Sequence, residues 1–505
     1  VAILRYTASA DTTITNAFEA NLSTRGTGSN MGYADSMAIF SIYGQSSGSV
    51  IGQTQELSRA LIKFPIESIV TDRTAGVLPS SGSMSFHLKM HNAETPFTLP
   101  QSFNLVVAPI SQSWAEGTGL DMDEYKDLGS SNWIKSDSST SWTSIGGDYL
   151  TASNYNIYFD QGYEDIELDV SQIVEQWITD IDTTPSPGVI KNYGFGIRLT
   201  ASQEGYFSSS TGQDTSVLIN NPQGSRDSYY IKKFFSRSSE FFFKRPTIEA
   251  RWDSRVSDDR ENFYYSSSLA PAADNLNTLY LYNYIRGRLV NIPAVGTGEI
   301  LVSLYSGSTA PTGTALTLYD GNLNLTGGYV STGIYSASLA ITAAATPLQV
   351  LYDVWHSGST QYFTGSSYPE KMPTYEAAPT FTRITSCKNL KKSYTTSDKA
   401  RFRFFVRDRN WNPTIYVKAT SNNPTDIIPS ASYSIVRTTD NHTAVQYGTG
   451  SNYSTYLSYD KDGNYFDFDM SLLQGGYMYE IKLSYYNDSI GTWQEQPQTF
   501  KFRVE

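Results

Sequence analysis

Short runs of alternating apolar and polar residues recur along this chain. In Ser83–Met90 the apolar residues Met84, Phe86, Leu88 and Met90 share one side, the period of two expected of a half-buried strand. Phe103–Pro109, Gly194–Leu199, Tyr477–Tyr485 and Thr499–Val504 follow the same rule, and Pro246–Trp252 is strand-like as well. Helical spacing is rare. Its best instance is Asp169–Ile178, where Val170, Ile173, Val174 and Trp177 recur every three or four residues. Asp169 or Ser171 is the expected cap there, and Pro185 and Pro187 lie beyond the helix end. The pattern predicts an all-β protein with one clear helix.

Two breaks interrupt the strands. Asp253–Arg260 is a charged stretch that reads as a linker, and Ser366–Pro373, followed by Pro379, is a second boundary. With 505 residues there is room for about three domains. The expected division is 1–255, a large jelly-roll-like β-sandwich, then 256–375 and 376–505, two smaller sandwiches of immunoglobulin-like size.

Composition supports strands and narrows the partners. Charged residues are 17% of the chain, while 37 Tyr and 24 Phe carry aromatics to 14%. Such residues suit pleated, half-buried surfaces. A net charge of −12 opposes general nucleic-acid binding, which needs a basic footprint. Cys387 is the single cysteine, so no internal disulfide can form, and assembly in a reducing compartment is expected. No apolar run approaches the roughly 18 residues of a membrane helix, and Val1–Arg5 shows no export signal, so no membrane partner is expected.

Candidate chemistry is sparse. Gly44-Gln45-Ser46-Ser47-Gly48 fits a nucleophile-elbow pattern, yet no helix follows it, and a flexible loop is the expectation. His87 and His91 would share one face of a strand, at solvent-facing positions and without the glutamate of a zinc helix motif; His356 and His442 have no identifiable partner. Glu116, Asp121, Asp123, Glu124 and Asp127 cluster in a Gly-punctuated loop. Surface solvation is expected of them, the alternatives being a calcium site or a glycosidase pair of Glu116 with Asp121 or Asp123. Asp460-Lys461-Asp462-Gly463-Asn464 reads as a hairpin turn. Trp114, Trp133 and Trp142, set among Gly, Ser and Asp, are candidate glycan or interface contacts, or plugs at the end of a sandwich core. No catalytic residue, metal ligand or cofactor site is assigned.

The first half also carries a family likeness. Ser58–Ile66 resembles the R-x-L-x-x-F-D-L strand of the DNRLRE-type, disaggregatase-related carbohydrate-binding-like domains. Ser113–Gly119 resembles their W-x-E-G-T motif, and Trp133 through Trp142 to Asp148 resembles the stretch that follows it. Leu168–Trp177 and Asn192–Ile197 resemble the closing segment. Pro65 departs from the family by standing where an acidic residue is usual, and long insertions separate the motifs. The order of modules is similar to that of virion proteins of marine tailed bacteriophages, and Gly333–Leu339 with Leu351–Trp355 looks like an immunoglobulin-like phage module with Trp355 in its core. The resemblance implies a non-catalytic structural protein of the virion, assembled in the host cytoplasm. Its implied partners are other virion proteins, copies of itself and surface glycan, with glycan recognition as the alternative function.

Overall fold

The computed structural model describes residues 2–44, 54–95, 98–182, 189–209, 216–226, 229–342, 348–372, 383–411, 425–448, 452–488 and 490–505. The chain is all-β and multidomain. It forms two compact units, 2–252 and 253–505. The first expected boundary, near 255, stands beside this division; the second, near 375, lies in 373–382, outside the described residues.

The first unit contains β1 (Ile3–Thr7), β2 (Ala10–Thr15), β3 (Ser36–Gly44), β4 (Thr54–Lys63), β5 (Met84–Met90), β6 (Phe103–Pro109), β7 (Tyr155–Phe159), β8 (Ile166–Asp169), β9 (Phe195–Leu199), β10 (Tyr229–Phe235) and β11 (Thr247–Trp252). Its helices are α1 (Ile66–Thr74) and α2 (Ser171–Asp182). Two antiparallel sheets form, in the orders β1-β11-β5-β8 and β10-β3-β4-β9-β6-β7, with β2 paired to β4. Alternation places Phe86, Leu88, Ile248 and Ala250 from the smaller sheet, and Ile62, Leu105, Val107, Phe195 and Ile197 from the larger, in one shared core.

The expected helix forms. The Asp169 carboxylate accepts from the Ser171 backbone N–H at 2.9 Å, and Val170, Ile173, Val174 and Trp177 are buried. Trp177 packs on Phe195 with ring centroids 4.7 Å apart. By contrast, the strand expected over Ser58–Ile66 stops at Lys63. Pro65 cannot donate to a ladder but fits a helix start, and α1 begins beside it, burying Ile66 and Ile69.

The larger sheet buries both faces. On β4, Ala60 and Ile62 point into the main core, while Leu57 and Leu61 join Ile14, Ile110, Trp133 and Trp142 in a second core. The polar 111–150 loops thus form a third layer over the outer face of the sheet, and the indoles supply its apolar filling.

In the second unit, residues 277–367 make one seven-stranded antiparallel sheet and a separate two-stranded ribbon, Tyr284–Ile285 with Arg288–Leu289. The order of the sheet is Asn277–Tyr282, Ile334–Leu339, Leu325–Ser331, Ile300–Gly307, Val350–Ser357, Thr360–Ser367, with Pro311–Thr312 on Ile300–Gly307. Leu279, Val302, Tyr335 and the fully buried Trp355 share one core. Residues 383–505 make two further sheets. Phe402, Phe404, Tyr433, Phe466 and Phe502 stack between them, Tyr433 and Phe466 with centroids 3.8 Å apart. Ser458–Asp460 and Gly463–Asp469 pair as a hairpin across the Asp460–Gly463 turn.

The charged stretch after Trp252 is not a free linker. Val256 N–H donates to Ser458 Oγ at 3.0 Å, Tyr459 N–H donates to the Val256 carbonyl at 2.9 Å, and Asp258 N–H donates to the Tyr459 carbonyl at 3.2 Å. Residues 256–258 therefore run as a short parallel addition beside Ser458–Asp460.

Candidate functional site

The three tryptophans anchor the loop layer. Trp133 is fully buried and donates its indole N–H to the Val217 carbonyl at 3.0 Å; Trp142 is buried and donates to the Asn132 carbonyl at 2.8 Å. Neither ring presents a face to a sugar or a neighbour, so their place is packing. Trp114 is partly exposed, packs on the same core and donates to the Tyr193 carbonyl at 2.8 Å.

Four of the five acids of the loop, Glu116, Asp121, Asp123 and Asp127, are likewise engaged. Asp121 Oδ1 accepts backbone N–H groups from Asp123, Glu124 and Tyr125, which hold its carboxyl below the usual range. Asp123 accepts from Ala20 N–H at 3.0 Å, and Asp127 accepts from Thr118, Gly129 and Ser130. Glu116 is clamped by the Arg237 guanidinium through both oxygens and also accepts the Asp11 backbone N–H at 2.8 Å. Its carboxylate partner is Asp11, a residue the sequence did not single out. Asp11 is fully buried, one oxygen accepts from the Arg237 backbone N–H at 2.6 Å, and the other has no hydrogen-bond partner among the described residues. Burial, reinforced by the Glu116 charge and opposed by Arg237, pushes Asp11 up to about 7.

Among the described residues, no group of three or more His, Cys, Asp or Glu side chains is placed to hold a metal ion. His87 and His91 are half-buried rather than solvent-facing. His87 lies 3.1 Å from Ser85 Oγ, and burial and then Arg251 push its imidazole down; His91 Nδ1 is 2.8 Å from Asp165. Of Gly44–Gly48, all but Gly44 lies outside the described residues.

Two other charged clusters are built into the sheets. Across the outer face of β1, β11, β5 and β8, Glu249 takes Arg5 and Arg251 at 2.6 Å each, while Glu167 takes Arg251 at 2.6 Å and Lys89 at 3.8 Å. Burial alone would raise Glu249; Arg5, Lys89 and Arg251 outweigh it and hold the carboxyl far below its ordinary value. In the second unit, Arg260 bridges Asp258 at 2.8 Å and Asp353 at 2.6 Å, and Trp355 Nε1 donates to Asp353 at 2.8 Å. Burial pushes Asp258 up to about 7 against the pull of Arg260, with Asp353 adding to the rise. Gly365 lies against this hub so closely that a Cβ there would sit 2.5 Å from the Asp353 carboxylate.

The first unit also holds an open cleft of about 490 Å³ at the edge of the loop layer, over β4 and β9. Arg59 lines it, its Nε and Nη2 donating to the two Glu204 oxygens at 3.0 and 2.8 Å, and lies 5.4 Å from the Trp133 ring centroid. Asp148, Tyr149, Arg198 and Glu204 line it as well, so two carboxylates face two guanidinium groups. The period-two pattern of 194–199 already puts Arg198 opposite the core-facing Phe195, Ile197 and Leu199. The partnership with Arg59, Tyr149 and Glu204 needs sheet register and was not legible.

No family model matches the chain, and no curated protein does. Among solved structures, trypsin-activated alpha-2-macroglobulin from Escherichia coli aligns at 9% identity over 88% of this chain and 24% of its own, with a TM-score of 0.16. Salmonella alpha-2-macroglobulin reacted with methylamine aligns at 9% identity over 100% of this chain and 34% of its own, TM-score 0.13. The BSP domain of a biofilm-associated protein aligns at 8% identity over 96% of this chain and 68% of its own, TM-score 0.16. The chain spans about a quarter of the first of these proteins. Scores this low carry no argument about fold or function.

Proposed function

We propose that the protein is a non-catalytic structural component of a tailed-phage virion, working through contacts with neighbouring virion proteins and with copies of itself. The observation that carries this reading is an aromatic knuckle in the first unit. Phe241 and Phe242 are 51% and 52% exposed. Phe235 packs edge-on against Phe241 at 5.6 Å, and Phe243 against Phe242 at 5.2 Å. The Lys244 ammonium lies 4.9 Å from the Phe235 ring centroid, and the Arg245 guanidinium 5.5 Å from that of Phe242. A braced, solvent-facing group of aromatic rings beside cations has the make-up of an interface hot spot. The likeness of the module order to that of tailed-phage virion proteins supplies the setting.

Mass spectrometry of purified particles tests the assignment: a fixed copy number per particle is expected, and absence of the chain from particles overturns it. The double variant Phe241→Ser/Phe242→Ser should keep its circular dichroism and thermal midpoint yet incorporate poorly. Unchanged incorporation would move the contact away from the knuckle.

A further inference from the structure

We propose that Lys232 and Asn92 join in an intramolecular isopeptide bond, a covalent cross-link between the two sheets of the first unit, with Glu164 as the proton carrier. This site is separate from the assembly reading and does not depend on it.

Lys232 lies on β10, at the edge of the larger sheet, and Asn92 follows β5 of the smaller one. Backbone bonds fasten the two segments on either side of the pair. Ala93 N–H donates to the Lys233 carbonyl and Phe235 N–H to the His91 carbonyl, at 3.0 Å each. Asp165 accepts the Asn92 backbone N–H at 2.7 Å. Between these anchors Lys232 is 1% exposed, and its ammonium donates to Asn92 Oδ1 at 2.8 Å, the Gly162 carbonyl at 2.9 Å and the Glu164 carbonyl at 2.7 Å. All three partners are neutral oxygens. The Phe159 and Phe234 ring centroids lie 4.8 and 5.1 Å from Nζ. Lysine is almost never buried this fully without a charged partner. Burial, against the pull of Glu164 and then Asp165, pushes the ammonium down to about 8. Roughly a tenth of it is then free amine at neutral pH.

A free amine held against a carboxamide is a nucleophile beside an electrophile. The amide carbon is one bond beyond the Oδ1 that Nζ already touches, and rotation of the Asn92 carboxamide presents it to the nitrogen. Amide aminolysis is slow between separate molecules, but oriented neighbours reach effective concentrations on the order of 10⁵ M or more. The reaction need happen only once in each chain. Nζ attacks Cγ, the Nζ–Cγ bond forms, the Cγ–Nδ2 bond breaks, and Nδ2 leaves as ammonia; nothing is oxidised or reduced. Glu164 Oε2 is buried and has no hydrogen-bond partner among the described residues. Burial alone would raise this carboxyl, but backbone N–H groups, led by that of Gln161 at 2.6 Å from Oε1, outweigh it and keep the group ionised. It takes the amine proton and passes it to the departing Nδ2. The two phenylalanine rings keep water, the competing nucleophile, from the carbon. Asn92 is itself partly exposed, which gives ammonia a way out. The product replaces a buried cation by a neutral amide, the direction that burial favours.

Intact-mass spectrometry of the denatured full chain tests this. Its mass is expected to fall short of the sequence mass by one ammonia, about 17 Da. Tryptic digestion should give a branched peptide joining the fragments that hold Asn92 and Lys232. Lys232→Met and Asn92→Ala should each abolish the deficit. Glu164→Gln leaves the backbone carbonyl on Nζ in place and should slow cross-linking at least about tenfold. The full sequence mass in the unsubstituted chain, a deficit that persists in Lys232→Met, a deficit without the branched peptide, or cross-linking undiminished in Glu164→Gln would each overturn the proposal. The first measurement is made on the unsubstituted chain and so stands apart from the folding of any variant.

Discussion

The ladder on β1, β11, β5 and β8 and the hub at Arg260 are both built from buried cations and carboxylates and behave oppositely. In the ladder three cations, Arg5, Arg251 and Lys89, surround two carboxylates, Glu249 and Glu167. In the hub two carboxylates, Asp258 and Asp353, share one guanidinium. Glu249 is held far below its ordinary pKa, whereas Asp258 is pushed up to about 7. The Asp11–Glu116–Arg237 cluster repeats the hub's ratio and its consequence, with Asp11 also near 7. Burial is nearly the same in all three, so charge stoichiometry decides the direction.

Removing the single cation of the hub should have the largest effect. Arg260→Met leaves two buried carboxylates facing each other, and a loss of about 3–5 kcal/mol is expected in urea unfolding near neutral pH. The loss should shrink in mild acid, where one carboxylate takes up a proton; a pH-independent loss would break the comparison. The ladder has cations to spare and partly exposed arms, so Glu249→Gln should cost less, about 2–3 kcal/mol, by the same measurement.

The pH dependence follows from the signs. Folded, Asp11 and Asp258 keep protons up to about 7, against the ordinary 3.8. Between those values the folded chain binds more protons than the unfolded one, so their contribution to stability falls as pH rises through that window. Glu249 runs the other way: its contribution is present above its ordinary 4.5 and is lost as pH drops below it. These clusters together are most favourable at about pH 4 to 5. Asp258→Asn or Asp11→Asn should flatten the slope between about pH 4 and 7, each by an amount on the order of 2 kcal/mol, in a pH series of urea midpoints. The smallest effect belongs to an exposed pair. Arg401 and Asp467 are 44% and 46% exposed although their geometry is bidentate, and Asp467→Asn should change stability by about 0–1 kcal/mol, less in high salt.

Alternation along the chain located much of this fold before any coordinates. Met84–Met90, Phe103–Pro109 and Thr247–Trp252 are strands where the pattern puts them, and the Val170–Trp177 face is buried as its spacing requires. Helix α1 was missed because Ile62–Ile66 continues an apolar run, and only the missing N–H of Pro65 separates strand from helix there. The tryptophans were legible as notable residues. Core packing is among the roles their sequence setting offers; the layer they fill is not legible, since it depends on loops folding back over a sheet already covered on its other face. Charged clusters are harder still. Asp11 and Glu116 are 105 positions apart, and no local pattern joins them.

The hydrogen bonds between 256–258 and 458–460 join residues about two hundred positions apart. They close a large ring of chain whose ends are fastened backbone to backbone. Tension applied between Trp252 and the last residue is therefore transmitted across that seam in shear, while the sheet of 277–367 hangs inside the ring, shielded from the load until the seam gives way.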